Sequence, residues 1–233
     1  MPRSVVRAGA ARCPNCRLPP RWCICAAIDP VRSNLLVHVL IHRQEQLKPS
    51  STGRLIARVV EGAACHVYER LNRSIAPLSL SPQAFASDRE LWILHPHGEP
   101  LVSCAARLSD QPLAPQVLVL DGTWRQAAEM LRSVDGMGRC VRLPEPGPSR
   151  YWLRDYDAPA HVSTAEALVE IFRIVGDAAA ESRLRLHFEL HVYATLMARG
   201  RREMAELYLG ESPLLAELPE FLDRLMTGRS ALP

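Results

Sequence analysis

One stretch in the middle of the chain constrains the fold more than any other. An uninterrupted apolar run at residues 117–120 leads through Asp121 and Gly122 into a helical pattern. A short apolar run of this kind is typical of a buried strand, and glycine permits a sharp turn after it. Thr123 and Gln126 have the spacing of a capping box, which marks the first turn of a helix. The sequence therefore predicts a strand, a tight turn and a helix, with a carboxylate where the strand ends.

The helix and the carboxylate have different explanations. Trp124, Ala127, Ala128 and Leu131 recur at helical spacing, so we expect the helix to pack this face on the sheet. Asp121 has no comparable structural explanation, since a carboxylate beside a buried strand is costly unless another group uses or satisfies it. Open α/β sheets bind ligands at the carboxyl ends of their strands, which makes Asp121 the candidate functional residue.

The rest of the chain repeats the alternation of strands and helices. Apolar runs predict three further strands, at residues 35–41, 91–94 and 139–143. A helix that opens at Thr52 and Gly53 carries apolar residues at helical spacing, namely Leu55, Ile56, Val59, Val60 and Ala63. The alternation predicts one α/β domain with a mainly parallel sheet covered by helices on both faces.

The second half of the chain supplies a second capping box and a rigid loop. Ser163 and Glu166 have the capping-box spacing ahead of an apolar helical pattern. Three prolines and a glycine at residues 144–150 predict a loop rather than a regular element. The C-terminal quarter is predicted to be helical throughout, and the loops after the strands are expected to line one cleft.

Four of the seven cysteines cluster in the N-terminal segment. Their spacing, Cys-x2-Cys followed by Cys-x-Cys, brings four thiols together on two tight turns, as a tetrahedral zinc site requires. The short closing spacing leaves reduced reactive thiols and inert packing as alternatives. The other three cysteines are scattered through apolar segments and are predicted to be small buried hydrophobes rather than disulfide partners: Cys65, Cys104 and Cys140.

Positive charge is concentrated in the first quarter of the chain. Residues 1–60 hold ten basic side chains against Asp29 and Glu45, although the net charge of the whole chain is only +3. Lys48 is the only lysine, so this charge is nearly all guanidinium, which suits bidentate contact with phosphates. The segment is a candidate phosphate-binding face, and a compositional preference for arginine is the alternative.

Several functional classes lack their sequence signatures. Neither a glycine fingerprint for dinucleotides nor a phosphate-binding loop occurs, which argues against nicotinamide and ATP chemistry. His187 and His191 flank a glutamate that is one position away from the zinc-protease order, so we interpret them as a helix surface. The absence of an apolar leader or a membrane-length apolar stretch predicts a cytoplasmic protein without a membrane partner.

Further polar residues follow the predicted strands. His42 and Glu45 come after the strand at residues 35–41, and His95 and His97 come after the strand at residues 91–94. Ligand contact is plausible there, but a hydrogen-bonded loop histidine is the more common outcome. Their roles stay open at the level of sequence.

Four motifs in a fixed order resemble the DTW-domain family, and together they span about 150 residues. Chance readily supplies one such motif, but four in the family's order make the resemblance specific. The motifs are Asp121-Gly122-Thr123-Trp124, Cys13-Pro14-Asn15-Cys16 with Cys23-Ile24-Cys25, Pro148-Ser149-Arg150-Tyr151, and Ser163-Thr164-Ala165-Glu166-Ala167.

The resemblance implies a function and a fold. The family resembles tRNA-uridine aminocarboxypropyltransferases that use S-adenosylmethionine, related to the SPOUT class of knotted RNA-modifying enzymes. It implies a trefoil knot, tRNA as partner and transfer of the 3-amino-3-carboxypropyl group to N3 of a uridine. We expect residues 1–30 to form a zinc-knuckle-like segment and residues 31–233 to form the catalytic domain with a helical C-terminal extension. No obligate protein partner is implied.

The resemblance and the residue chemistry together assign a candidate site. Asp121 is the expected catalytic residue, accepting or organising the uridine proton. The expected cofactor-binding residues are Thr52, Leu94, Gly122, Thr123, Trp124, Leu143, Ser149, Ser163 and Thr164. The expected RNA-binding residues are Arg17, Arg21, Arg125, Arg150 and Tyr151, with a loop salt bridge as the alternative for Arg150. The expected metal ligands are Cys13, Cys16, Cys23 and Cys25.

Two other functions remain compatible with the sequence. A methyltransferase would use the same cofactor and also needs a nucleophile near the sulfonium. A noncatalytic RNA-binding module would use the cysteine knuckle and the basic N-terminal segment, but it needs no carboxylate at a strand end. The modified position, ribosomal RNA as the target, and the oligomeric state are not determined by the sequence.

Overall fold

The computed structural model describes residues 11–69, 80, 82–108, 113–145, 147–154 and 162–228. Within this part of the chain, five strands form one parallel sheet in the order β2-β1-β4-β3-β5. The strands are β1 Leu36–His42, β2 Ala64–Tyr68, β3 Leu91–Pro100, β4 Gln116–Asp121 and β5 Arg139–Arg142. The predicted parallel α/β sheet is therefore confirmed.

Nine α-helices and three short 3-10 helices accompany the sheet in the same described part of the chain. The α-helices are α1 Arg43–Gln46, α2 Gly53–Val59, α3 Leu101–Ala105, α4 Trp124–Ser133, α5 Thr164–Val175, α6 Ala178–Ala198, α7 Arg202–Gly210, α8 Leu214–Glu217 and α9 Pro219–Thr227. The 3-10 helices are Pro20–Trp22, Cys25–Ala27 and Pro82–Ala84. None of the described helices is long and apolar enough to cross a membrane.

Alternating side chains of the central strands pack on opposite faces of the sheet. Val117 and Val119 of β4 join the larger hydrophobic cluster, which also holds residues of α2, α5 and α6. Leu118 joins the smaller cluster with Met130 of α4. Because side chains alternate, Asp121 points to the same face as Val119. The sheet thus directs the candidate carboxylate towards α2 and α5.

Both predicted capping boxes are present. Thr123 accepts a hydrogen bond from the Gln126 N–H of α4, and the Gln126 side chain accepts one from Thr123 N–H. Ser163 and Glu166 make the same pair of bonds at the start of α5. These bonds satisfy N–H groups that the first helical turn leaves unpaired. They fix where each helix begins beside the sheet edge.

The N-terminal cysteine segment packs on the domain core. Leu18 and Ile24 are fully buried and belong to the larger hydrophobic cluster. Arg21 donates hydrogen bonds to the carbonyl oxygens of Leu225 and Met226 in α9. Arg54 of α2 donates to the carbonyl oxygens of residues 14 and 15. The segment is therefore held both to α2 and to the C-terminal helix α9. Its separation into a domain of residues 1–30 stays a prediction.

Several local predictions were wrong. Strand β2 was missed because Ala64–Tyr68 mixes polar and apolar residues without a clear period. Strand β3 continues to Pro100 through an irregular pairing with β5 instead of ending at Leu94. Helix α2 ends at Val59, so Ala63 lies outside it. Cys65 is exposed, whereas Cys104 is buried as predicted and Cys140 is half-buried.

The two histidines of α6 are buried rather than on a helix surface. His187 is fully buried and accepts a hydrogen bond from the Asp29 N–H, and His191 is 3% exposed. Burial lowers the pKa of each to about 4, so both rings are neutral near pH 7. The surface interpretation failed because α6 packs against α2, α5 and α7 and is buried on most sides. The trefoil knot and the SPOUT-like topology stay predictions.

Candidate active site

A cleft of about 760 Å³ opens at the carboxyl ends of β4 and β5, beside residues 94–97 of β3. The loop after β5, the loop before α5 and the first turns of α4 and α5 complete its walls. Most of the predicted site residues line it, namely Thr52, Leu94, Asp121, Gly122, Thr123, Trp124, Leu143, Tyr151, Ser163 and Thr164. The strand edge thus brings together residues that are up to 112 positions apart in sequence.

Asp121 is buried at the floor of this cleft, with 5% of its surface exposed. Its Oδ2 accepts a hydrogen bond of 2.7 Å from Ser51 Oγ, and its Oδ1 accepts one of 2.7 Å from Thr164 Oγ1. The Gly53 N–H also donates to this carboxylate. A carboxylate has about four acceptor positions, so three protein donors do not saturate it.

Burial raises the pKa of Asp121 above its ordinary value. The hydrogen bonds from Ser51 and Thr164 oppose this rise, and the nearby carboxylate of Glu45 adds to it. The donors on both carboxylate oxygens are neutral hydroxyl groups, which stabilise the charge less than a cation would. The site therefore holds a carboxylate whose pKa is shifted towards neutrality.

Gly53 leaves the space that Asp121 occupies. A Cβ atom at Gly53 would lie 2.7 Å from both Cγ and Oδ2 of Asp121, closer than non-bonded atoms approach. Glycine is therefore required for the first turn of α2 to approach the end of β4. No sequence pattern indicates this contact, since Gly53 has the features of an ordinary helix start.

Trp124 lies at the mouth of the cleft instead of packing on the sheet. It is 46% exposed and lines the cleft together with Ala127 and Ala128. The part of α4 that packs on the sheet is formed by Met130 and Leu131, together with the following Val134. Our interpretation as a sheet-packing face is therefore correct for Leu131 but wrong for Trp124, Ala127 and Ala128. The cleft instead has an aromatic ring and two small side chains on one wall.

Glu166 connects the two motif loops of the cleft wall. Its carboxylate accepts hydrogen bonds from Ser149 Oγ at 3.0 Å and from the N–H groups of Arg150 and Ser163, both at 2.7 Å. Ser149 is not among the described residues that line the cleft, and its contact with the cofactor stays a prediction. It helps to fix the loop that carries Tyr151, whose hydroxyl donates to the Ser50 carbonyl oxygen.

Arg150 points away from the cleft and is bound within the protein. It forms ion pairs with Glu189 at 2.9 Å and Glu211 at 3.0 Å, and donates to the Tyr208 carbonyl oxygen. Its guanidinium also lies 4.1 Å from the centre of the Tyr208 ring. The predicted ligand contact of Arg150 is replaced by the alternative, a salt bridge that holds the loop to α6.

The other predicted RNA-binding arginines lie outside the cleft. Arg17 adopts a left-handed backbone conformation with φ of 62°, and Arg21 binds α9 as described above. Arg125 is exposed on the first turn of α4, beside Trp124. Their contact with RNA stays a prediction. Arg3 and Arg7, which contributed to the basic segment, lie outside the described residues.

Sequence reasoning missed two arginines of the cleft, Arg142 and Arg154. Arg154 donates from Nη2 to Glu45 Oε2 at 2.8 Å, and Lys48 binds Oε1 of the same carboxylate. Glu45 itself is 1% exposed. No sequence motif marks this trio, because its members meet only through the fold.

Two of the three histidines considered above line the cleft, and the third caps a helix. His95 and His97 line the cleft as part of β3, and His95 Nδ1 accepts a hydrogen bond from the His97 N–H. Burial lowers the pKa of His95, and the nearby His97 adds to this effect. His42 does not line the cleft and instead accepts from the Gln44 N–H at the start of α1.

The four clustered cysteines form a separate site. The sulfur atoms of Cys13, Cys16, Cys23 and Cys25 all lie within 4.8 Å of one another, an arrangement that can hold a metal ion. The Cys13–Cys25 and Cys16–Cys23 sulfur distances are 3.5 and 3.8 Å. Tetrahedral coordination at a zinc–sulfur distance of about 2.3 Å separates the sulfurs by about 3.8 Å. Four thiols with these spacings therefore fit a tetrahedral ion.

We expect Gly53→Ala to destabilise the protein by about 2 kcal/mol, because the added methyl group overpacks against Asp121. Helix propensity alone would favour alanine by less than about 1 kcal/mol. Gly210→Ala is the matched control, since a Cβ there meets no atom within 4 Å. Denaturant unfolding should show a loss of stability for the first variant alone. Equal stabilities would contradict the close approach of α2 and β4.

Arg150→Ala should reduce the free energy of unfolding by about 3 kcal/mol, because it leaves the buried Glu189 carboxylate without its cation. Arg173→Ala removes a mostly exposed partner of Glu170 and should cost less than about 1 kcal/mol. Thermal or denaturant unfolding of both variants measures the difference. If both variants lose similarly little stability, the ion pair with Glu189 does not hold Arg150, and its guanidinium remains available for a ligand.

Comparison with known proteins gives one solved structure and one family. The structure of Tsr3 from Vulcanisaeta distributa, described as a SAM-dependent rRNA:acp-transferase, matches at 16% sequence identity with a TM-score of 0.42. The match covers 83% of this chain and 100% of that chain, but its TM-score is too low to support any statement on fold or activity. The DTW-domain family model matches residues 10–196, which include the cysteine segment, every strand of the sheet and the cleft. The chain belongs to the DTW-domain family.

Proposed function

We propose that this protein transfers the 3-amino-3-carboxypropyl group of S-adenosylmethionine to N3 of a uridine in tRNA. Asp121 carries the proposal, because it is a carboxylate of raised pKa at the floor of a ligand-sized cleft. Membership of the DTW-domain family supports the class of reaction. A cytoplasmic location is part of the proposal and stays a prediction.

The cleft has the properties of a nucleoside site. Its volume of about 760 Å³ is within the usual range for small-molecule sites. Leu94 and Leu143 offer apolar surface, and Trp124 offers an aromatic ring, for contact with an adenine or uracil ring. Thr52, Ser163 and Thr164 also line the cleft, and the Thr164 hydroxyl donates to Asp121. We assign S-adenosylmethionine to this cleft, where it supplies a carbon activated by the sulfonium.

The chemistry requires a base at the floor of the cleft. Uridine N3 is a weak nucleophile and must lose its proton as it attacks. The N3–C bond forms as the C–S bond breaks, the electron pair stays on sulfur, and methylthioadenosine leaves as a neutral thioether. Asp121 accepts the N3 proton. A pKa raised towards neutrality makes a carboxylate a better proton acceptor than an exposed aspartate.

The RNA is proposed to contact the basic side of the chain. Arg12 and Arg17 of the cysteine segment and Arg125 beside Trp124 are exposed or half-exposed guanidinium groups. Phosphate contacts of this kind position a nucleic acid and give salt-dependent binding. We further propose that the four cysteines bind one zinc ion. In this proposal the zinc stiffens the segment that presents Arg12 and Arg17.

Asp121→Asn should lower the rate of transfer by roughly 10²–10⁴-fold, because it keeps the size of the side chain but removes the proton acceptor. The measurement is single-turnover transfer from labelled S-adenosylmethionine to unmodified tRNA, with titration of the donor alongside. Donor affinity should change much less than the rate. For the wild type, kcat/KM should fall at acid pH with an apparent pKa above the ordinary aspartate value of about 3.9.

Thr123→Ala is the control for this experiment. It removes the cap of α4 and should cost about 1 kcal/mol of stability, with activity falling only as far as the loop shifts. Near wild-type transfer by Asp121→Asn would show that this carboxylate only holds the turn. Mass analysis of the modified nucleoside separates the proposed product from a methylated one. Binding of RNA without any transfer would favour a noncatalytic module.

Purified protein prepared without chelator should contain about one zinc ion per chain, bound by the four clustered thiolates. Cys16→Ser should lose zinc and destabilise the cysteine segment, since metal binding is coupled to local folding. Cys140→Ser, which changes a half-buried thiol outside the cluster, should keep its zinc. Elemental analysis measures the zinc content of the three proteins. A wild type without zinc would refute the assignment.

A further inference from the structure

A buried ion-pair trio adjoins the active-site cleft. Glu45 is 1% exposed and accepts from Lys48 on one oxygen and from Arg154 on the other. The trio therefore combines one negative and two positive charges. Lys48 and Arg154 are partly exposed, and of the three only Arg154 lines the cleft. The Arg154 guanidinium is therefore the charged group of the trio that faces the cleft.

Arg154 is held in place by more than its salt bridge. Its guanidinium carbon lies 5.9 Å from the centre of the Tyr151 ring, and Tyr151 is itself fixed to Ser50 through its hydroxyl group. A guanidinium held by a buried carboxylate keeps its orientation with little entropy left to lose on binding. Arg154 is thus a preorganised anion-binding group.

The position of the trio relates Arg154 to Asp121. Arg154 lies against the Tyr151 ring, whose hydroxyl donates to the Ser50 carbonyl oxygen. The next residue, Ser51, donates to Asp121, so Arg154 lies on the Asp121 side of the cleft. Arg142 is the other arginine among the described residues of the cleft lining. It is exposed and donates to the Gly98 carbonyl oxygen, so it lies towards β3 and the outer wall. Arg154 is therefore the better placed guanidinium for an anion beside Asp121.

On the proposed function, the donor carries one anionic group. The aminocarboxypropyl arm ends in a carboxylate, a short distance from the carbon that uridine N3 attacks. Guanidinium and carboxylate groups form paired hydrogen bonds with defined geometry. A guanidinium that binds this carboxylate turns the arm, rather than the methyl group, towards the base that Asp121 deprotonates.

We propose that Arg154, oriented by Glu45, binds the carboxylate of the donor's aminocarboxypropyl arm and thereby selects this arm for transfer. This inference rests on the proposed function and deepens it. Arg154 is a substrate-binding residue in this assignment, and Glu45 is a positioning residue that acts through it.

The test compares S-adenosylmethionine with decarboxylated S-adenosylmethionine, which keeps the sulfonium and the amine but lacks the carboxylate. Calorimetric titration without RNA gives the affinity of each for the wild type and for Arg154→Gln. The variant should bind S-adenosylmethionine about 10- to 100-fold more weakly, as loss of a charge-assisted pair predicts, with the decarboxylated compound nearly unaffected. Arg142→Gln is the matched control and should not change the ratio of the two affinities.

Two further outcomes separate the inference from the function on which it rests. A wild type that binds neither compound overturns the proposed function and this inference with it. A wild type that binds both, with Arg154→Gln weakening both equally, overturns the inference alone. The double variant Glu45→Gln with Arg154→Gln removes the unbalanced buried charge, so equal weakening there also counts against the inference. Selective weakening of S-adenosylmethionine in either variant supports it.

Discussion

The site depends on one buried carboxylate that joins three segments of the chain. Asp121, at the end of β4, is bound by Ser51 ahead of α2 and by Thr164 at the start of α5. Gly53 lets the first turn of α2 come close enough to contact it. A buried carboxylate without these donors would be strongly destabilising, so the strand end and both helix starts must form together. The geometry of the cleft floor follows from this requirement.

The nature of the donors distinguishes Asp121 from the other buried carboxylates of the described chain. Glu45 and Glu189 are each paired with an arginine, so a full positive charge faces each of them. Asp121 is bound by hydroxyl groups and a backbone N–H, which satisfy its oxygens without a full opposing charge. Its pKa therefore remains raised, whereas a guanidinium partner would lower it. Neutral donors therefore satisfy the buried Asp121 carboxylate and still leave it able to accept a proton.

The features that could be predicted from the sequence are those set by interactions between residues close together in the chain. The apolar run before Asp121, the turn at Gly122 and the capping box of Thr123 use contacts within a few residues, and all three are present. Contacts between distant segments follow no such rule. Arg150 and Arg154 are four residues apart, yet one pairs with Glu189 of α6 and the other with Glu45 of α1. Only the fold decides which guanidinium meets which carboxylate.

Helix α2 connects the cysteine site to the active site. Its first residue, Gly53, contacts Asp121, while the next, Arg54, donates to the carbonyl oxygens of residues 14 and 15. One turn later, Arg58 donates to Cys25 Sγ at 3.3 Å. A helix of seven residues is too short to be stable alone, so its position depends on these partners at both ends. One short helix therefore contacts both the cysteine segment and the carboxylate at the floor of the cleft, although no cysteine is among the described residues that line the cleft.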